Sequence, residues 1–168
     1  MKKLLFTLIL CPMVFFAQTS TLEFKNSKTA LETVQKYVRA LQNGDVATMD
    51  AQLASDAMIY NMGGAVDSTN VAGHSAYYTR STTTYNHKFA RDVFYLPVKV
   101  TDYWNEGEWV LSWGTNVITS KKDGTQIPVP FHTAAMIENG KIKRLYYFYD
   151  MLNILKNQGF TIQPPSKE

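Results

Sequence analysis

The tightest constraint on this chain lies in its second half, where Asn139-Gly140 separates two apolar-rich runs. Asn-Gly suits a two-residue turn whose backbone twist matches paired strands, so it is the strongest hairpin signal in the sequence. Lys121-Lys122-Asp123-Gly124 holds a second such signal, and Asn105-Glu106-Gly107 reads as a third turn. These turns divide the region into four long strands, 89–104, 109–120, 127–138 and 141–150. Strands joined so tightly are antiparallel neighbours, and the result is a meander. Pro97 has no amide proton to give, which marks its strand as an edge or a bulge. Alternation puts Trp109, Leu111, Trp113 and Val117 on one face. The run Tyr146-Tyr147-Phe148-Tyr149 loads both faces of the last strand with aromatic rings.

The first half reads as helix. Leu31, Val34, Tyr37, Val38 and Leu41 fall at helical spacing between Ser27 and Asn43, giving one buried face. Gly44 suits the left-handed position that ends such a helix. Asp45 then caps a second short helix with Val46, Met49 and Leu53 inward. A short strand follows over 56–61, then a polar loop over 62–73, then a third helix from His74 to about Asn86. Ser81-Thr82-Thr83-Thr84 weakens that helix, because hydroxyl and β-branched residues are poor helix formers. Residues 151–158 form a last helical turn or two, ended by Gly159. Helices first and a strand meander after give an α+β fold: N-terminal helices packed on a curved, mostly antiparallel sheet in a cone-shaped barrel. Helices cover one side of such a sheet. The aromatic load on the other side predicts a second copy of the chain there, a homodimer.

The start of the chain is expected to leave. Met1-Lys2-Lys3 is basic, Leu4 to Phe16 is almost wholly apolar, and Ala17 is a small residue placed for cleavage. That is the layout of a secretory signal peptide, and it is shorter than the about 20 apolar residues a membrane span needs. Residues 1–17 are therefore read as a signal, 18–26 as a flexible segment, 27–162 as one domain and 163–168 as a flexible tail. Export to the periplasm or the exterior follows. Losing Lys2 and Lys3 lowers the formal net charge from +3 to +1, and no basic block remains to support nucleic-acid binding. The single cysteine, Cys11, leaves with the signal, which removes thiol and disulfide chemistry. No later apolar run is long enough to span a membrane.

The common catalytic motifs are missing: no Gly-x-Ser-x-Gly, no phosphate-binding glycine loop, no His-Glu-x-x-His and no dinucleotide fingerprint. His74, His87 and His132 lie far apart, and their spacing does not suggest a metal site. What remains is a few polar residues in apolar company. Asp150 ends the run Leu145 to Tyr149; an apolar setting raises a carboxyl pKa toward that of a general base, while the alternative is a cap for the helix after it. His132 alternates with Ala134 and Met136, opposite Phe131 and Thr133, and is either a site residue or a histidine on a solvated face. Tyr37 lies on the apolar side of the first helix, where a core tyrosine is the ordinary case. Asn61 precedes Gly63-Gly64 and suits a turn. Tyr95 and Trp113 are core residues or the platform of an apolar pocket.

Several stretches in order resemble the nuclear-transport-factor-2-like superfamily, in its SnoaL-like and ketosteroid-isomerase-like branch. They are Val34 to Asp45, Leu53 to Asn61, Ile137 to Ile142, Tyr149-Asp150, and Leu152 to Gly159. The resemblance implies a cone with an interior site. Tyr37 stands where ketosteroid isomerases place an oxyanion-hole tyrosine, and Asn61 where they place a basic aspartate. Asp150, ahead of Leu152, Leu155, Gln158 and Gly159, resembles the base of the SnoaL-like cyclases. The site implied has Asp150, His132 and Tyr37 as catalytic residues and Tyr60, Asn61, Tyr95, Trp113 and Phe148 around a small apolar or carbonyl-containing ligand. It needs no metal or cofactor. Three functions fit: a ligand-binding domain, a cofactor-independent isomerase, cyclase or hydratase using Asp150, or an interaction module with a filled core.

Overall fold

The first helix behaves as its spacing demands. In the computed structural model, which describes residues 20–64, 66–161 and 163, α1 spans Ser27–Gln42 and buries Ala30, Val34, Tyr37, Val38 and Leu41 along one face. Burying each of the larger aliphatic chains contributes about 1.5–3 kcal/mol. Gly44 takes the left-handed conformation (φ +69°) that ends the helix. The Asp45 carboxylate accepts from the Thr48 amide at 2.9 Å and starts α2, Val46–Asp50.

The strands are β1 (Ser20–Thr21), β2 (Leu53–Tyr60), β3 (Ser68–Asn70), β4 (Tyr85–Phe89), β5 (Phe94–Val100), β6 (Gly107–Ser120), β7 (Gln126–Glu138) and β8 (Lys141–Tyr149), with α3 at Val71–Thr84 and α4 at Met151–Asn157. The sheet runs β1-β5-β6-β7-β8-β2-β3, with β4 also on β6. All pairings are antiparallel except β2 with β8, which is parallel and sets Ile59 beside Leu145. The fold is α+β, with helices on the concave side of a curved, unclosed sheet. Asn139 (φ 50°) and Gly140 (φ 73°) form the expected β7–β8 turn. Thr33 of α1 donates to the Gly140 carbonyl at 3.0 Å and ties helix to hairpin. The core lies between α1 and the concave face, where Ile59, Val110, Ala135 and Ile142 are all fully buried.

Four details differ from the sequence reading. Ser20–Thr21, placed in a loose segment, pairs with Lys99 and Val100. The polar loop 62–73 contains β3, and α3 begins at Val71 because the Asn70 side chain accepts from the Gly73 amide at 3.0 Å. That helix tolerates its threonines because Thr82, Thr83 and Thr84 each donate to a carbonyl four residues back, at 2.7, 2.7 and 3.0 Å. The expected strand 89–104 is broken: β4 pairs Phe89 with Asn116, β5 pairs Phe94 with Trp113, and residues 90–93 bulge against 114–115. Asp92 holds the bulge by accepting from the Thr115 amide (3.1 Å) and hydroxyl (2.8 Å). Pro97 sits on β5 beyond the reach of β1, as an edge proline should. The expected signal, residues 1–17, lies outside the described residues, as does most of the expected tail.

The convex face is aromatic. Phe94, Trp113, His132 and Phe148 stand opposite one another on four successive strands. Their rings stack in a row with centroid separations of 4.9, 4.7 and 5.6 Å. Phe94 and Phe148, at the ends, are about half exposed. Tyr60 stacks on Tyr146 at 4.5 Å on the same face.

Candidate functional site

The concave side holds a partly open cavity of about 300 Å³. Val38 and Leu41 of α1, Ile118 of β6, Val129 and Phe131 of β7 and Ile154 of α4 make much of its wall. This is an apolar interior in which any polar group stands out.

One polar group is a chain of five side chains. The Asp50 carboxylate accepts from Nδ1 of His74 at 2.8 Å, and Nε2 of His74 lies 2.7 Å from the Tyr37 hydroxyl. The Tyr37 hydroxyl is in short contact with that of Tyr147, and Tyr78 donates to Tyr147 at 3.0 Å. His74 is wholly buried. Burial lowers its pKa against the opposing pull of Asp50, so the ring is neutral at pH 7. Burial likewise raises the pKa of Tyr37, Tyr78 and Tyr147 well above the ordinary tyrosine value, and all three stay protonated.

The second polar group centres on His87. Its Nε2 is 3.0 Å from Ser81 Oγ and its Nδ1 is 3.0 Å from Asn116 Nδ2. Oδ1 of Asn116 is buried without a hydrogen-bond partner. Burial pushes the His87 pKa down to about 4 from 6.5. Between those values the unfolded chain binds a proton that the folded chain refuses. The stability contributed by neutral His87 is therefore complete above pH 6.5 and falls as pH drops toward 4, by about 3 kcal/mol over the window. His74 shifts the same way and adds to the loss. Urea titrations from pH 7 to 4.5 check this: His87→Gln should flatten the profile, and an unchanged profile would count against it.

Of the expected catalytic residues, only Tyr37 faces the cavity. His132 lies on the convex face between Trp113 and Phe148, where its Nδ1 donates to the Ser112 carbonyl at 3.1 Å. The alternation was legible, but the small neighbours Ala134 and Ala135 do not open onto the cavity. Asp150 is exposed and caps α4, accepting from the Asn153 amide at 2.8 Å. The three do not converge. Asp150→Asn should leave stability almost unchanged, whereas Asp150→Ala should cost about 1 kcal/mol in urea titrations; equal losses would remove the cap assignment.

The expected ligand-binding set also divides. Tyr60, Trp113 and Phe148 are on the convex face. Asn61 (φ 60°) closes a turn, its amide donating to the Asp67 carbonyl at 2.9 Å. Tyr95 packs against the core on the concave side, half-buried, with its pKa raised by burial. The structure adds polar side chains that the sequence reading did not bring together: Tyr78, Tyr147, His87 and Asn116 line the cavity, and Asp50 and His74 stand behind Tyr37. For Tyr147 a signal existed: alternation sets it opposite Tyr146 and Phe148 and on the side of Thr133.

A family model described as SnoaL-like domain matches residues 34–145. No curated protein matches the sequence significantly. Among solved structures, a candidate polyketide cyclase from Xanthomonas campestris pv. campestris is similar at 20% identity and a TM-score of 0.65, over 79% of this chain and 98% of that one. An LEH-like epoxide hydrolase of M. tuberculosis is similar at 17% identity and 0.60, over 79% and 91%. A nuclear-transport-factor-2-like protein from Burkholderia xenovorans is similar at 14% identity and 0.59, over 78% and 96%. At these identities the likeness shows the cone fold.

Proposed function

Since the chain belongs to the SnoaL-like domain family, we propose that it is an exported domain that holds a small, mainly apolar ligand inside its cone. The observation that carries this reading is the meeting of the Tyr37, Tyr78 and Tyr147 hydroxyls at the wall of a mainly apolar cavity. Ligand pockets are apolar spaces with a few placed polar groups, and the volume is at the small end of their range. Two similar structures are named as a candidate polyketide cyclase and an epoxide hydrolase, which supports a small-molecule ligand. The apolar N-terminal run ending at Ala17 supports export. The stacked row from Phe94 to Phe148 supports a homodimer through the convex face.

Ligand-observed NMR with a library of small apolar compounds tests the binding. Hits should be found, and should vanish in Val129→Phe, which fills the cavity while circular dichroism confirms the fold. Hits that survive the filling, or a library without hits, would sink the reading. Sedimentation of the same samples should show a dimer; a monomer at NMR concentrations would remove that element.

A second reading, cofactor-independent acid–base catalysis, is favoured by the Asp50–His74–Tyr37 chain. A carboxylate that fixes a histidine which in turn holds a hydroxyl is the arrangement that moves protons in many enzymes. In this reading Asp50 and His74 take the part that the family resemblance implies for Asp150. Asp50→Asn must then reduce turnover of any hit that reacts.

A further inference from the structure

Counting protons in the two polar groups gives the polarity of a ligand set against them. Asp50 can only accept, so Nδ1 of His74 carries the ring proton and Nε2 is bare. Tyr37 must therefore donate to Nε2. Its short contact with Tyr147 then needs the proton of Tyr147, and Tyr78 spends its own on Tyr147. Every hydroxyl proton in the chain is held by a partner within it. What the chain has left to offer is lone pairs on its hydroxyl oxygens, that of Tyr78 among them.

The other polar group reaches the same result independently. The Asn116 amide donates to Nδ1 of His87, so Nε2 carries the proton and gives it to Ser81. Oδ1 of Asn116 is left buried and without a donor. Ser81 keeps one proton, and so does Tyr85, which accepts from Gln158 at 3.0 Å, but a ketone that accepted either would still leave Oδ1 unmet.

We propose that the cavity is built for a ligand that brings a hydrogen-bond donor, an alcohol or a phenol, in preference to the ketone of the same shape. This rests on the cavity-binding reading and deepens it. An alcohol proton satisfies Oδ1 of Asn116 or the Tyr78 lone pair, and its oxygen can still accept from Ser81. A carbonyl oxygen set against either acceptor meets a lone pair, and leaving a buried acceptor unpaired is worth roughly tenfold or more in affinity.

The test is isothermal titration of the purified protein with a matched pair, β-tetralol and β-tetralone, at pH 7.5. The alcohol should bind at least about tenfold tighter. Tyr37→Phe sharpens the test, because losing that oxygen frees the Tyr147 proton toward the cavity. The ketone should then bind more tightly to the variant than to the wild type, and the alcohol preference should shrink. Equal or tighter ketone binding by the wild type would overturn the proposal, and so would a variant that weakens both ligands alike. The wild-type comparison stands even where the variant fails to fold. Failure of both compounds to bind would instead bring down the cavity-binding reading and this inference with it.

Discussion

His74→Leu should destabilise the protein by about 3 kcal/mol, read as a fall of roughly 6–12 °C in Tm and a matching drop in urea midpoint. Leucine is close to histidine in volume, so the loss is polar and not a cavity effect. His74 is wholly buried and bonds at both ring nitrogens, to Asp50 and to Tyr37. Removing it strands a partly buried carboxylate and leaves a buried hydroxyl without its acceptor, and both groups cost free energy when unpaired. The double variant His74→Leu, Asp50→Leu isolates the mechanism. If the stranded charge is the main term, the double variant should recover part of the loss, a coupling that independent sites would not show. A loss below about 1 kcal/mol in the single variant would mean that the chain of hydrogen bonds does not hold the site together.

Gly114→Ala should cost about 2–4 kcal/mol in the same titrations. Gly114 has φ +154°, and a Cβ added there would lie 2.5 Å from Val93 Cγ2 and 2.8 Å from Val93 Cα. The second atom is backbone and cannot swing aside, so the bulge between β4 and β5 must open. Gly124 is the control. Its φ is +76° with nothing within 4 Å of the added atom, so Gly124→Ala bears backbone strain alone, about 1 kcal/mol. Equal losses at the two positions would remove the steric account of the bulge.

Local signals were legible and long-range ones were not. The spacing of Val34, Tyr37, Val38 and Leu41, the Asp45 cap and the Asn139-Gly140 turn each rest on a few neighbouring residues, and each appears in the structure. The β4–β5 break was hidden because its cause, Thr115 held by Asp92, lies across the sheet. The parallel pairing of β2 with β8 joins segments far apart in sequence and carries no local mark. The site shows the same division. Tyr37 was found from helix periodicity, but His74 and Asp50 meet it only through the packing of α1, α2 and α3. Alternation grouped His132 with its true neighbours and could not say which side of the sheet they faced. Asp150 had two readings from sequence, and the structure shows the helix cap.

The aromatic residues divide by side of the sheet, and this decides what light can report. Trp113 belongs to the convex row, Trp109 donates to the Asn105 carbonyl and lies 6.3 Å from Tyr146, and Trp104 is exposed in the loop after β5. None of them lines the cavity, whereas Tyr37, Tyr77, Tyr78, Tyr85, Tyr147 and Tyr149 do. Tryptophan emission excited at its red edge is thus a gauge of whatever covers the outside of the sheet. Occupancy of the interior is written in the near-ultraviolet signal of the tyrosines, so the two events can be followed in one cuvette as separate channels.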